Sequence, residues 1–174
     1  MQDLYTSFKD NCGFGLLASI DNTPSHKNLE DAVTSLERMM HRGAIAADGK
    51  TGDGSGLLLS LPTSFFEKEA AKEGVVLPKQ YGVAMVFSKN ESDFDVIKTI
   101  CAQNDLKVFY TREVPVDTNA LGEQALESLP TIKQVFVSPY SAVAQERFEA
   151  LIYLSRKEIE AALKEDKEFY IPSF

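Results

Sequence analysis

One residue in this sequence sits where a thiol could act as a nucleophile. Cys12 lies in the run Asp10-Asn11-Cys12-Gly13-Phe14-Gly15, between a short polar leader and an apolar stretch. If the peptide bond before it were cleaved, Cys12 would carry both a thiol and a free α-amine. An amine with a pKa of about 7.7–8.0 can move a proton at neutral pH, so the cysteine would need no histidine partner. Gly13 and Gly15 leave backbone open for a substrate carbonyl, although glycines at the start of a strand also mark bulges. By residue type alone, a cysteine beside a strand is usually a small buried hydrophobe.

Two further features could serve that thiol. His41-Arg42-Gly43-Ala44 reads as a helix end with a glycine cap and dipole-complementing cations. It reads also as a place where Arg42 is held towards the nucleophile, its guanidinium stabilising a thiolate. Thr51-Gly52-Asp53-Gly54-Ser55-Gly56 is a glycine-rich loop. It lacks the Lys-Ser/Thr ending of a phosphate-binding loop and the glycine spacing of a dinucleotide fold. A calcium loop starting at Asp48 fails because Lys50 and Gly52 would fall at ligand positions. What remains is a compact turn in which Asp53 bonds backbone amides or pairs with Arg42.

The elements that must position these residues can be read from periodicity. Phe14 to Ile20 reads as a strand ending at the turn cluster Asp21-Asn22-Thr23-Pro24. Ser25 caps a helix whose apolar face is Leu29, Ala32, Val33, Leu36, Met39 and Met40, with Gly43 just past its end. Leu57 to Leu61 reads as a buried strand stopped by Pro62, and Ser64 to Glu73 as a helix closed by Gly74. Tyr81 to Phe87 is apolar enough for a strand covered on both faces. A helix starting at Ser92 follows, then a strand from Lys107 to Val114 with Val108, Tyr110, Arg112 and Val114 on one side. Leu121 to Leu129 reads as a short helix, Ile132 to Val137 as a strand, Ala144 to Glu165 as the longest helix, and Glu168 to Phe174 as extended chain. Strands and helices without a strict alternating rhythm imply a single α+β domain with helices on antiparallel sheets.

Composition narrows the function classes. A net charge of −8 with no basic cluster opposes nucleic acid as a partner. No run approaches the roughly 20 apolar residues of a membrane span, so no membrane association is expected. Residues 1–11 have neither the basic nor the apolar region of a secretory signal, which implies a cytoplasmic protein. Two cysteines and two histidines are too few for a disulfide scaffold or a structural zinc site, so no metal is expected.

Taken together, Cys12-Gly13-Phe14-Gly15, His41-Arg42-Gly43-Ala44 and Asp48-Gly49-Lys50-Thr51-Gly52-Asp53-Gly54-Ser55-Gly56-Leu57 strongly resemble the amino-terminal glutamine amidotransferase domain of the glutamate synthase large subunit. The likeness continues through Tyr81-Gly82-Val83, Arg112-Glu113-Val114-Pro115, Gln134-Val135-Phe136-Val137 and Phe169-Tyr170-Ile171. The resemblance implies a four-layer αββα fold of the N-terminal nucleophile hydrolases, with residues 1–11 as a removable propeptide and 12–174 as the first part of the domain. It implies Cys12 as the catalytic nucleophile and Arg42 as its support. Gly52, Asp53 and Gly54 correspond to the loop near the site, in a structural role first. The implied substrate is L-glutamine, cleaved through a cysteinyl thioester to glutamate and ammonia, the ammonia passing to a separate site that aminates 2-oxoglutarate.

In that family the oxyanion donors come from a downstream Asn-Gly pair, and this sequence has no Asn-Gly. Losing one such donor typically costs about 10²–10³ in rate. The isolated 174-residue chain is therefore expected to be a C-terminally truncated fragment with negligible glutaminase activity. No cofactor is expected in it; FMN and an iron–sulfur cluster belong elsewhere in the parent synthase. Its expected partners are the remainder of the synthase chain and a small reductase subunit. Unpaired sheet edges invite self-association. The alternatives are a non-catalytic module that keeps this framework and another cysteine amidohydrolase of the same superfamily.

Overall fold

A computed structural model describes residues 13–39 and 43–174. In chain order its elements are α1 (His26–Arg38), α2 (Thr63–Lys72), β1 (Gly82–Ser88), α3 (Ser92–Gln103), β2 (Leu106–Glu113), α4 (Glu123–Glu127), β3 (Thr131–Pro139), α5 (Gln145–Ala162) and β4 (Tyr170–Ser173). A 3-10 turn at Thr118–Ala120 precedes α4. The chain divides into two compact units, Met1–Leu61 with Thr118–Glu127, and Pro62–Asp117 with Ser128–Phe174.

In the larger unit the strands form one antiparallel sheet in the order β2-β3-β1-β4. Successive side chains on a strand point to opposite faces, and the sequence fills both. Ala84, Val86, Val135, Val137 and Leu106 pack with Phe94, Ile97, Ile100 and Cys101 of α3 and with Phe148, Leu151 and Ile159 of α5. Phe136 points the other way, into a cluster with Phe66 and Ala70 of α2, Tyr81 and Tyr110. Its ring meets Phe66 edge-on at 5.1 Å and Tyr110 at 4.9 Å, geometries that favour aromatic pairs. Gly82 admits α5 close to the sheet, since a Cβ there would stand 2.7 Å from Ile152 Cδ1.

Local chemistry sets the helix boundaries. Ser25 is extended and its Oγ accepts the Asn28 amide at 3.3 Å, the N-cap expected for α1. Gly74, at φ +71, closes α2 in the left-handed conformation that costs glycine least. The mixed α+β class with helices on an antiparallel sheet is as the sequence implies.

Several expectations are corrected. The Phe14–Ile20 and Leu57–Leu61 runs do not form strands, and neither is buried: Phe14 is 96% exposed and Leu58 88%. Apolar sequence cannot make a strand by itself, because a strand exists through a neighbour's hydrogen bonds. α1 is described as His26–Arg38 and none of its residues is fully buried; Met40, expected on its apolar face, lies outside the described residues. The face expected of β2 is split by a bulge between Val108 and Tyr110. Val108 joins the α3/α5 side while Tyr110 joins Phe136, since one extra residue reverses the alternation.

Phe136 is fully buried. Phe136→Ala should cost about 3–5 kcal/mol of unfolding free energy through lost burial and the cavity left behind. Leu58→Ala, at an exposed site, should stay within about 0.5 kcal/mol. Urea unfolding followed by circular dichroism measures both; equal losses would contradict this assignment of the core.

Candidate functional site

The glycine-rich segment folds as a miniature hairpin built on hydrogen bonds more than on glycine content. The Ala46 amide donates to the Thr51 carbonyl at 2.7 Å, and the Gly49 amide to the Ala46 carbonyl at 3.0 Å. Ile45 and Gly52 form an isolated antiparallel bridge. Asp53 closes the base twice: its amide donates to the Ala44 carbonyl at 3.3 Å, and its Oδ2 accepts the Ala44 amide at 2.9 Å. Of the two roles open to Asp53, amide bonding is therefore the one described. Gly49 takes φ +70 at the tip. Gly52 eases a close approach, because a Cβ there would lie 3.3 Å from the Ala44 carbonyl oxygen, tighter than an ordinary contact. Gly54 has open space around it, so sterics alone do not demand glycine there.

A second carboxylate, Asp48, organises the tip. Its Oδ1 accepts the Lys50 and Thr51 amides at 3.0 and 2.8 Å. Its Oδ2 accepts the Thr51 hydroxyl at 2.5 Å and the Gln124 amide of α4 at 3.3 Å. Thr51 Oγ1 in turn accepts the Ala125 amide at 3.3 Å. The Thr51 hydroxyl first, and then the backbone amides, hold the Asp48 carboxyl well below the usual carboxylate range, because each donor favours the ionised form. Gly122 lies so close that a Cβ there would collide with Thr51 Oγ1, Asp48 Oδ2 and the Thr51 amide nitrogen.

Cys12 and Arg42 lie outside the described residues, as does the leader of residues 1–11. Their chain neighbours are described. Gly13 packs against the end of α1, where a Cβ on it would stand 3.3 Å from Met39 Sδ.

The family model for class-II glutamine amidotransferases matches residues 12–174. The chain belongs to that family. Among similar proteins are ferredoxin-dependent glutamate synthase 1 of Arabidopsis thaliana, 38% identical over 87% of this chain and 10% of the relative. The glutamate synthase [NADPH] large chain of Azospirillum brasilense is 33% identical over 94% of this chain and 11% of its own length. The glutamate synthase [NADH] of Schizosaccharomyces pombe is 35% identical, covering 95% and 8%. The chain thus spans about a tenth of the length of these relatives.

For this amidotransferase sequence, the recognised motifs contain the hairpin but miss what anchors it. Asp48 followed three residues later by Thr51 is a local signal for a side-chain-closed turn. No local signal links it to Gly122 and Gln124, seventy residues on. Among the described residues no group of three or more histidine, cysteine, aspartate or glutamate side chains could hold a metal ion. No described helix is long and apolar enough to cross a membrane.

The lowered Asp48 pKa has a definite sign in pH. Its contribution to the hairpin is complete above the unfolded carboxylate value, about 3.9, and is lost as pH falls from there through the depressed folded value. Thr51 and Gln124 amide exchange, corrected for intrinsic rates, should stay protected down to about pH 4 and lose protection below it. Asp48→Asn should remove that pH dependence.

Proposed function

We propose that the chain carries the nucleophile, Cys12, of the glutaminase half-reaction of a glutamate synthase, and that the 174 residues alone have negligible glutaminase activity. The observation that carries this reading is the family match beginning at Cys12 and running to residue 174, joined to relatives named as glutamate synthases. On this reading residues 1–11 are a propeptide, and their removal makes the Cys12 α-amine the base. The amine takes the thiol proton, and the thiolate attacks the side-chain amide carbon of L-glutamine. Collapse of the tetrahedral species breaks the carbon–nitrogen bond, the nitrogen leaves as ammonia after taking a proton, and a glutamyl thioester remains. Water then cleaves the thioester, giving glutamate and the free thiol. Arg42 favours the thiolate by its fixed positive charge. Gly52, Asp53 and Gly54 act structurally, through the Ala44 clamp and the close backbone approach at Gly52.

Amination of 2-oxoglutarate, FMN, the iron–sulfur cluster and any small reductase subunit are assigned to the much greater length of such a synthase. An iron–sulfur cluster takes about four thiolates, and this sequence has two cysteines, so these residues do not fit one. The four-layer αββα architecture and a cytoplasmic location belong to the same proposal, as does self-association through the edges of the sheet.

Cys101 is fully buried, and burial pushes its thiol up to about 12, so an electrophile added to folded protein reports on Cys12. A glutamine-analogue diazoketone should add once, at Cys12, and Cys12→Ala should abolish the adduct in intact-mass analysis. Loss of residues 1–11 in the same spectrum would support processing. Reaction with unrelated amide-mimicking electrophiles but not with the glutamine analogue would point to a different amidohydrolase, and no reaction with either to a non-catalytic module.

A further inference from the structure

The hairpin holds two Asp-Gly pairs, Asp48-Gly49 and Asp53-Gly54, and no other aspartate in the chain precedes a glycine. A glycine lets its own amide nitrogen reach the carboxyl carbon of a preceding aspartate most easily, because it has no Cβ in the way. The structure treats the two pairs differently. Asp48 uses both carboxylate oxygens, Oδ1 accepting the Lys50 and Thr51 amides and Oδ2 accepting the Thr51 hydroxyl and the Gln124 amide. This latch also favours the ionised carboxyl, its poorly electrophilic form. The Gly49 amide is held as well, donating to the Ala46 carbonyl at 3.0 Å. Asp53, in contrast, has one side-chain bond, from the Ala44 amide to Oδ2 at 2.9 Å. The Gly54 amide bonds no acceptor among the described residues, both residues of the pair are exposed, and a Cβ on Gly54 would meet nothing within 4 Å.

We propose that Asp53-Gly54 is a site of spontaneous covalent modification, the isomerisation of aspartate to isoaspartate, and that the hydrogen bonds on Asp48 and Gly49 spare the other pair. The Gly54 amide nitrogen attacks Asp53 Cγ and forms a carbon–nitrogen bond, while the carboxyl hydroxyl leaves with the amide proton as water. A cyclic succinimide remains. Water then opens the ring at one of its two carbonyls. Attack at the carbonyl derived from the side chain restores aspartate, whereas attack at the main-chain carbonyl leaves the peptide link running through Cγ, which is isoaspartate. The water released in the first step is matched by the water taken up in the second, and no oxidant or reductant takes part. Isoaspartate adds a methylene to the backbone and turns the former main-chain carboxyl into the branch, so the Oδ2 clamp on the Ala44 amide is lost from the base of the hairpin. This chemistry is independent of the amidotransferase reaction.

The test is incubation of the full 174-residue chain at neutral pH, with isoaspartate located by electron-transfer fragmentation of its proteolytic peptides. Isoaspartate should accumulate at Asp53 at least about tenfold faster than at Asp48, the factor that roughly one to three net hydrogen bonds supply. In guanidinium chloride, where the hairpin is unfolded, the two pairs should isomerise at similar rates. Thr51→Val, which removes the hydroxyl and keeps the shape, should speed the reaction at Asp48 and leave Asp53 little changed. Gly54→Ala, at a position with open space, should suppress it at Asp53. Circular dichroism verifies the fold of each variant. Equal rates at the two pairs in folded protein overturn the proposal, as does the absence of isoaspartate at Asp53. A folded Thr51→Val chain in which Asp48 stays slow overturns the role given to the latch. If Thr51→Val does not fold, the folded and unfolded wild-type rates at Asp48 give the same decision.

Discussion

A strand covered on both faces must be apolar at consecutive positions, and β3 meets that demand. Gln134, Val135, Phe136 and Val137 are all buried in sequence. The valines face α3 and α5, and the phenylalanine faces α2. Because β3 pairs with both β1 and β2, its side chains join two hydrophobic clusters that would otherwise be separate. The polar residue of the run, Gln134, is satisfied by the Arg112 guanidinium at 3.0 Å. Arg112 also pairs with Glu69 at 3.1 Å, so the buried amide does not stand alone.

The hairpin between Gly43 and Gly54 is held by a different kind of interaction. Short segments without a packed face cannot rely on hydrophobic burial, and here two aspartates take the place of a ladder. Asp53 completes the base and Asp48 the tip, each accepting backbone amides that no strand neighbour would satisfy. Such a loop has a defined shape with little apolar surface.

Elements with local signals were legible in the sequence. Ser25 marked the start of α1, Gly74 the end of α2, and the 3.6-residue pattern of Phe148, Leu151 and Ile159 the inward face of α5. Strand content was legible only where a partner exists: Tyr81 to Phe87 and Ile132 to Val137 pair with each other, whereas Phe14 to Ile20 and Leu57 to Leu61 find no strand among the described residues. At the site, the glycine-rich loop could be recognised by its motif, whereas Asp53's amide bonding was one of two roles left open until the structure showed it. Asp48, Thr51 and Gly122 could not be joined without the fold.

Residue types and their spacing were by themselves enough to determine the family, the thiol to be tested and most helix boundaries, because capping, periodicity and motif order are properties of short stretches of chain. The fold decided what depends on distant residues meeting. The bulge at Val108–Tyr110 sends neighbouring side chains to opposite faces, and register is set by the partner strand. The latch at Asp48 exists because the backbone at Gly122 returns to within hydrogen-bonding reach of the hairpin, a proximity that no local pattern encodes.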